Sequence, residues 1–411
     1  MMCAASLSGN NLNVTLIEKN EKFGKKLYIT GKGRCNLTNS ADRSEFMDSI
    51  VTNSKFMYSS FGKFSNFDVM DFFEDAGVPL KVERGGRVFP VSDKASDVIK
   101  ALSYAVKRSG TDVVFGEEVK EILTKSYQED EKTAKKVVGV KLSNGKIIDC
   151  DAVVVATGGL SYPVTGSTGD GYRFAREEGI EVTKCYPSLV AFKVKENFCA
   201  DMAGLSLKNV GICLVRDGKE LYSDFGEMLF THTGVSGPMI LSASARTGIK
   251  AEGATLSLDL KPALNEEKLE ERLLRDFTAE KNKELKTVLR GLLPASMVPV
   301  FVKKLEKKTG KIGEKKVNSV TREERQEIIY LLKNFDMTVT GLCGYNEAII
   351  TKGGVNVKEV NPKTMEAKKV KNLYFVGEVL DVDAVTGGYN LQVAWSTAYA
   401  AASSLKEKAD N

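Results

Sequence analysis

One histidine, one tryptophan and nine prolines stand in a chain of 411 residues. With His232 alone, an H-E-x-x-H helix, a histidine-rich metal centre and all but a single histidine-dependent triad are excluded. The seven cysteines (Cys3, Cys35, Cys150, Cys185, Cys199, Cys213 and Cys343) include no C-x-x-C pair, so zinc ribbons, thioredoxin-type dithiols and common iron–sulfur frameworks lack their spacing. Free thiols in a reducing compartment are the plain reading. No run approaches the roughly 18 apolar residues of a membrane span, and the opening residues lack a basic start followed by an apolar block. The sequence thus predicts a cytoplasmic chain with no membrane partner. Neither charge dominates: 59 Lys and Arg against 54 Asp and Glu leave a net +5, with the basic residues spread along the chain. That distribution predicts a small-molecule substrate, with some attraction for anions, and no nucleic-acid partner.

What remains is an ordinary globular composition, 42% hydrophobic and 27% charged, enough for two or three domains. The opening reads as the tail of a small-residue helix, a polar turn at Gly9 to Asn11, and a strand ending near Glu18. A helix is expected from about Ser92 to Arg108. After it come two alternating runs around Asn144-Gly145, a hairpin signal, and then AVVVATGG, a buried parallel-type strand emptying into a glycine turn. From about Leu189 to Leu260 short alternating strands (VAFKV, GICLV, ATLSLDL) suggest a small β domain. Helices follow: Asn265 can cap one carrying Leu269, Leu273 and Phe277, and Thr321 with Glu324 makes a capping box before Ile328, Leu331 and Phe335. From about Asp336 the β and glycine character returns. The chain leaves one domain and comes back to it.

Four glycine-bearing segments carry the chemistry together. The first, KFGKKLYITGKGRCNLTN, places Gly31, Lys32, Gly33, Arg34, Cys35 and Asn36 in succession, glycines for close backbone approach and cations for an anion. The second is Ala156-Thr157-Gly158-Gly159 at a strand end, the edge where open α/β sheets bind ligands, with GSTGDG close behind. The third is LYFVGE, with Gly377, Glu378 and then Asp381 able to accept hydrogen bonds from sugar or ribitol hydroxyls. The fourth, Gly387-Gly388-Tyr389-Asn390, leads into a helix whose positive end suits an electron-rich carbonyl.

These segments, with FTHTGVSGP at residues 230 to 238 and VGEVLDVDAVTGGYNLQ near the end, resemble the BaiN/YhiN-type flavoproteins, also called the aminoacetone-oxidase family, over nearly the whole chain. The resemblance implies an α/β fold: a Rossmann-like, glutathione-reductase-like FAD-binding domain (1–188 and 336–411) interrupted by a β-barrel-like domain (189–262) and a helical domain (263–335). It implies that Glu18, with Lys19 beside it, holds the adenosine ribose, and that Val119, two residues into a strand, contacts adenine through its backbone. Lys25, Lys26 and the stretch Thr30, Gly31, Lys32, Gly33, Arg34, Cys35, Asn36, Leu37 and Thr38 would line the isoalloxazine and pyrophosphate. Ala156, Thr157, Gly158 and Gly159 would border the adenosine side, while Gly377, Glu378, Asp381, Gly387, Gly388, Tyr389, Asn390, Leu391 and Gln392 would grip ribitol and flavin. Family members begin with a strand and a G-x-G-x-x-G loop, and this sequence starts after both. The resemblance therefore predicts about 15 preceding residues, by the usual βα length.

FAD narrows the chemistry to redox. The family points to NAD(P)H-linked reduction, including conjugated carbon–carbon double bonds of steroid-like 3-oxo bile acids. No second dinucleotide motif is visible, so NAD(P)H is expected as a transient co-substrate. Such a reduction needs a proton, and His232 is the candidate donor, with Tyr162 and Tyr389 as unranked alternatives. Two other classes stay open: an FAD-dependent amine oxidase, and an inactive truncated flavoprotein or scaffold.

Overall fold

Val153–Val155 and Leu373–Phe375 lie side by side and parallel, Val153 opposite Leu373 and Val155 opposite Phe375, although most of the chain separates them in sequence. A second parallel pair joins Thr15–Glu18 to Asp112–Phe115. Parallel strands require crossovers, and here helices and hairpins supply them. This computed structural model describes residues 1–7, 12–129 and 132–410. The polar turn expected at Gly9 to Asn11 lies outside the described residues. The chain divides into two units, Met1–Ser188 with Gly344–Asn411, and Leu189–Cys343.

The first unit packs around the C-terminal helix Tyr389–Ala409, which buries Gln392, Val393, Trp395, Ser396, Thr397 and a run of alanines. Small residues let neighbouring backbone come close to it. Its neighbours include the opening helix Met2–Ser6 and the helix Met57–Lys63. The helix expected from Ser92 starts instead at Ala95, because Asp93 takes a left-handed backbone and Lys94 is extended. The Asn144-Gly145 turn joins Lys132–Leu142 to Ile147–Asp149 as an antiparallel hairpin. Val119 opens the strand Val119–Glu129 rather than lying two residues inside it.

The second unit is a closed six-stranded barrel with helices inserted before its last strand. Around the barrel run Phe192–Val194, Gly234–Ser236, Lys219–Thr231, Ser206–Arg216, Thr255–Asp259 and Met337–Leu342. Leu207, Val210, Ile212 and Leu214 are buried along one strand, with a bulge at Lys208 and Asn209 where the register shifts. Met337–Leu342 corrects the expected return at 336: it pairs with both Thr255–Asp259 and Phe192–Val194, closing the barrel, and the first unit resumes only at Gly344. Closure leaves no strand edge, so the last strand cannot be given up to another unit. Between the two final barrel strands come the helices Glu266–Ala279, capped by Asn265, and Arg322–Lys333, opened by the Thr321–Glu324 capping box. Among the described residues no helix is long and apolar enough to cross a membrane.

In the first unit the single tryptophan ties the C-terminal helix to the N-terminal segment: Trp395 Nε1 donates to the Leu37 carbonyl at 3.0 Å, both residues being buried. Trp395→Phe leaves that carbonyl without its partner. It should lower stability by about 1–3 kcal/mol, read as a lower urea midpoint by circular dichroism; an unchanged midpoint would show that the bond contributes nothing.

Candidate functional site

The helix Tyr389–Ala409 begins after two glycines in left-handed or otherwise positive-φ backbone, Gly387 at 128° and Gly388 at 99°. Gly388 has a second reason to be glycine: an added Cβ would sit 2.2 Å from the Thr38 carbonyl oxygen. The segment Asn36 to Asn39 is thereby held flat against the helix start. Asn36, with its amide in the orientation that satisfies both ends, accepts from the Gly388 N–H at 3.0 Å and donates to the Val88 and Thr38 carbonyls. Thr38 Oγ1 donates to Gln392 Oε1 at 2.7 Å, and Asn390 clasps the backbone of Ala384 through both its amide oxygen and its amide nitrogen. The first and fourth glycine segments, some 350 residues apart in the chain, thus form one wall.

Immediately before that wall, Gly31, Lys32, Gly33 and Cys35 all have positive φ. For Lys32 and Cys35 such backbone costs on the order of 1 kcal/mol each. Strain of this kind is kept where surrounding structure imposes it, often at ligand sites. The Cys35 thiol is pushed up to about 12 by burial, against a smaller downward pull from its hydrogen bond with Thr30. It is an inert thiol rather than a nucleophile.

A second cluster centres on Glu378. One carboxylate oxygen accepts from Lys26 Nζ at 2.5 Å; the other accepts from Ser161 Oγ and the Thr351 N–H, each at 2.9 Å. Lys26 also donates to Ser161 Oγ at 2.6 Å. Thr351 Oγ1 in turn accepts from the N–H groups of Leu160 and Ser161, fixing the loop that follows Gly158 and Gly159. Three of the four glycine segments meet at this carboxylate. Ser161 and Thr351 were not singled out in the sequence; the available signal was a polar residue ending the apolar run AIIT, Thr351, buried to 1% exposure.

At the other end, Glu18 closes its strand with one carboxylate oxygen accepting from the Asn20 N–H and side-chain amide, both at 2.8 Å. Its second oxygen has no hydrogen-bond partner among the described residues. Lys19 reaches Thr168 and Asp170, and Asn20 reaches the Thr165 carbonyl, so the GSTGDG loop is drawn to Glu18. Thr157 Oγ1 accepts from the Gly171 N–H. The Gly377 N–H donates to Thr397 Oγ1 at 2.9 Å, seating LYFVGE on the C-terminal helix.

These placements suit the flavin dinucleotide implied by the resemblance: a carboxylate with an oxygen to spare at a strand end, a backbone wall at a helix start that no Cβ could share, and an oriented carboxylate between them. Ala156, Leu391 and Lys25 line the same strand ends and helix starts without a side-chain hydrogen bond among the described residues. Two candidates of the first unit, Arg34 and Val119, stand apart. Arg34 is engaged by Glu83 and Asp93 and stacks over Phe89 at 4.1 Å, so its charge serves that hairpin. Val119 is not hydrogen-bonded to the other candidates. His232 belongs to the second unit, exposed in the turn between Lys219–Thr231 and Gly234–Ser236. Tyr389 is buried and packs its ring against Phe46, with the centroids 5.0 Å apart.

Behind the wall, Asp383 is fully buried with neither carboxylate oxygen hydrogen-bonded, and the Lys352 ammonium lies 3.5 Å away. Burial pushes the pKa of the Asp383 carboxyl above the usual carboxylate range, opposed by Lys352; that of Asp381 is raised for the same first reason.

Thr351→Val removes the acceptor of two buried N–H groups and should lower stability by about 2 kcal/mol and FAD affinity about tenfold. Thr351→Ser should keep both, as read by urea unfolding and flavin-fluorescence titration. Equal behaviour of the two variants would show that the hydroxyl is not what matters.

Comparison with known proteins agrees with this geometry. A 3-ketosteroid delta1-dehydrogenase from Sterolibacterium denitrificans shares the fold, at 12% identity and a TM-score of 0.51, covering 99% of this chain and 97% of that one. Among curated relatives, a ribosomal RNA dihydrouridine synthase of Haemophilus influenzae is 31% identical, over 99% of this chain and 96% of its own. The Escherichia coli protein of the same name is 30% identical, over 98% and 95%. A 3-dehydro-bile acid delta(4,6)-reductase of Clostridium scindens is 28% identical, over 98% and 95%. The model of the HI0933-like protein Rossmann domain matches residues 1–404, and the chain belongs to that family of FAD-dependent oxidoreductases.

Proposed function

We propose that this protein is an NAD(P)H-linked, FAD-dependent reductase of a carbon–carbon double bond conjugated to a carbonyl, and that its substrate is uridine in ribosomal RNA. The observation that carries the reading is the pair of relatives at 31% and 30% identity, both named ribosomal RNA dihydrouridine synthases and both matched over at least 95% of their length. Saturating the C5=C6 bond of uridine, which is conjugated to the C4 carbonyl, consumes one NAD(P)H and one proton and releases NAD(P)+ and dihydrouridine. Reduction of a 3-oxo steroid diene has the same balance, so the two names among the relatives describe one chemistry on different substrates. The bile acid is the second reading, favoured by the relative at 28% identity.

Bound FAD would supply the two-electron transfer. Glu18 would accept from the adenosine ribose, and Val119 would face adenine. Lys26 and Glu378 would set the charge beside the pyrophosphate and ribitol, with Asp381 as a further acceptor. Gly388 to Gln392 would present helix N–H groups to the flavin ring. The proton must come from the protein or water, and His232 remains the proposed donor.

The expectation of no nucleic-acid partner rested on cations being dispersed along the sequence. A fold can gather what the sequence disperses, and the reading proposed here replaces that expectation.

The test is to incubate FAD-loaded protein anaerobically with NADH or NADPH and, separately, a ribosomal RNA transcript or a 3-oxo-4,6-diene steroid. Gain of two hydrogens on a uridine, found by nuclease digestion and mass spectrometry, is the expected result; turnover of the steroid alone would select the second reading. Hydrogen peroxide formed from an amine without NAD(P)H would select an amine oxidase and overturn both. His232→Asn should slow product formation by about 100-fold or more, with flavin reduction by NAD(P)H unchanged; an equal rate would remove His232 from the reaction.

A further inference from the structure

We propose that the tip of the hairpin formed by Leu80–Glu83 and Arg87–Pro90, with the Lys32 loop packed beside it, is a docking surface for the phosphodiester backbone of ribosomal RNA. The proposal rests on the uridine-reductase reading. The tip, Glu83-Arg84-Gly85-Gly86-Arg87, is fastened to the candidate cofactor wall by backbone bonds. Asn39 Nδ2 donates to the Gly85 carbonyl at 2.9 Å and to the Gly387 carbonyl at 3.0 Å, so one amide holds both segments. The Ser40 N–H donates to the Gly86 carbonyl at 2.7 Å. Gly86 has positive φ, and an added Cβ there would lie 2.3 Å from Asn39 Oδ1, which is why the tip can seat so closely. Beside it, a Cβ on Gly31 would come 3.3 Å from the Phe89 ring, placing the Lys32 loop against the same hairpin.

The charge at this place is unbalanced. Arg34, Lys81, Arg84 and Arg87 surround only two carboxylates, Glu83 and Asp93. Arg34 takes both acids, and Lys81 takes Asp93 at 2.7 Å. Arg87 is left 3.7 Å from Glu83 with its side chain 46% exposed, its Nε donating to the Arg84 carbonyl. Arg84 and Lys32 are exposed and have no ion-pair partner among the described residues. A guanidinium without an ion-pair partner among the described residues, Arg84, and one held only in a long contact with Glu83, Arg87, suit phosphate, which each can bind in a bidentate fork. A substrate base that must reach a site inside the protein brings its flanking phosphates to the rim, where such cations are needed.

The experiment uses FAD-loaded full-length protein and a fluorescein-labelled ribosomal RNA hairpin transcript, with anisotropy measured over a range of KCl concentrations. Arg84→Ala/Arg87→Ala should weaken binding about tenfold and flatten the log–log salt dependence by about 1.4, the loss of two single-strand phosphate contacts. Arg84→Lys/Arg87→Lys should keep most of that slope, and Arg216→Ala, a charge removal on a barrel strand, should change little. Flavin absorbance should be the same in all four proteins, which checks folding. Undiminished binding by the double alanine variant overturns the proposal, as does absence of binding by the unaltered protein. A raised KM for NADPH but not NADH, with RNA binding intact, also overturns it and assigns the arginines to the cofactor's 2′-phosphate. Dihydrouridine measured in parallel separates the two readings. Product formed equally by the unaltered and double alanine proteins removes the docking surface alone, whereas arginine-dependent binding without any product removes the uridine reading and leaves the surface.

Discussion

Everything in the first unit depends on how closely the start of the C-terminal helix approaches the segment Asn36 to Asn39. At Gly388 the two backbones are so near that a single methyl group would overlap the Thr38 carbonyl. That approach is sustained by hydrogen bonds that each require burial: Thr38 to Gln392, Trp395 to Leu37, and Gln392 and Ser396 to the Phe64 carbonyl. Buried bonds of this type contribute modestly when made and cost about 1–3 kcal/mol when one partner is lost. A chain that loses the close approach therefore leaves several groups unsatisfied at once. The wall that would face the flavin is the same surface that locks the helix to the unit.

The Glu378 cluster applies the same logic to a charge. A carboxylate only one-fifth exposed is held by an ammonium, a hydroxyl and a backbone N–H; the hydroxyl belongs to Ser161, which Thr351 fixes, and the N–H is that of Thr351 itself. Its orientation is thus set by the protein before any ligand arrives, the arrangement that makes an electrostatic site effective without reorganisation. Asp383 presents the contrast. Its two oxygens lack hydrogen bonds, and a single lysine at 3.5 Å offsets the cost of burying it. A buried pair of that kind is weak support for stability but severe when half of it is removed.

Local signals in the sequence located the elements, a strand ending in Glu18, a valine run ending in two glycines, alternating strands in the middle and capped helices after them, while the fold class came from the family resemblance. Each of these is a pattern spanning fewer than about twenty residues, where periodicity and caps act. What could not be read was long-range. Met337–Leu342 follows a capped helix and precedes glycine-rich segments, so its neighbours suggested the first unit; only pairing with Thr255–Asp259 and Phe192–Val194 reveals it as a barrel strand. Thr351 and Ser161 carry no motif and Asn39 only ends the first glycine segment; their importance lies in partners some 50 to 350 residues away. Arg34 shows the reverse error of emphasis. Its place among the loop glycines suggested an anion ligand, whereas Glu83 and Asp93, distant in sequence, already engage it and hold its guanidinium even more firmly protonated.

The same distinction governs the electrostatics. A net charge of +5 spread over 411 residues says little about any one place, because the field a ligand meets is set by charges within about a Debye length of it. At the Arg84–Arg87 tip the fold collects cations from residues 32 to 87 and supplies only two acids, both already occupied. Elsewhere several lysines have an acid of their own, Lys315 with Glu324, Lys333 with Asp259 and Lys135 with Glu178. Dispersal along the chain and dispersal over the surface are different quantities, and only the second bears on a polyanionic substrate. A near-neutral protein can therefore hold a locally cationic rim beside a cofactor wall, provided that the fold gathers more cations there than the acids beside them can pair with.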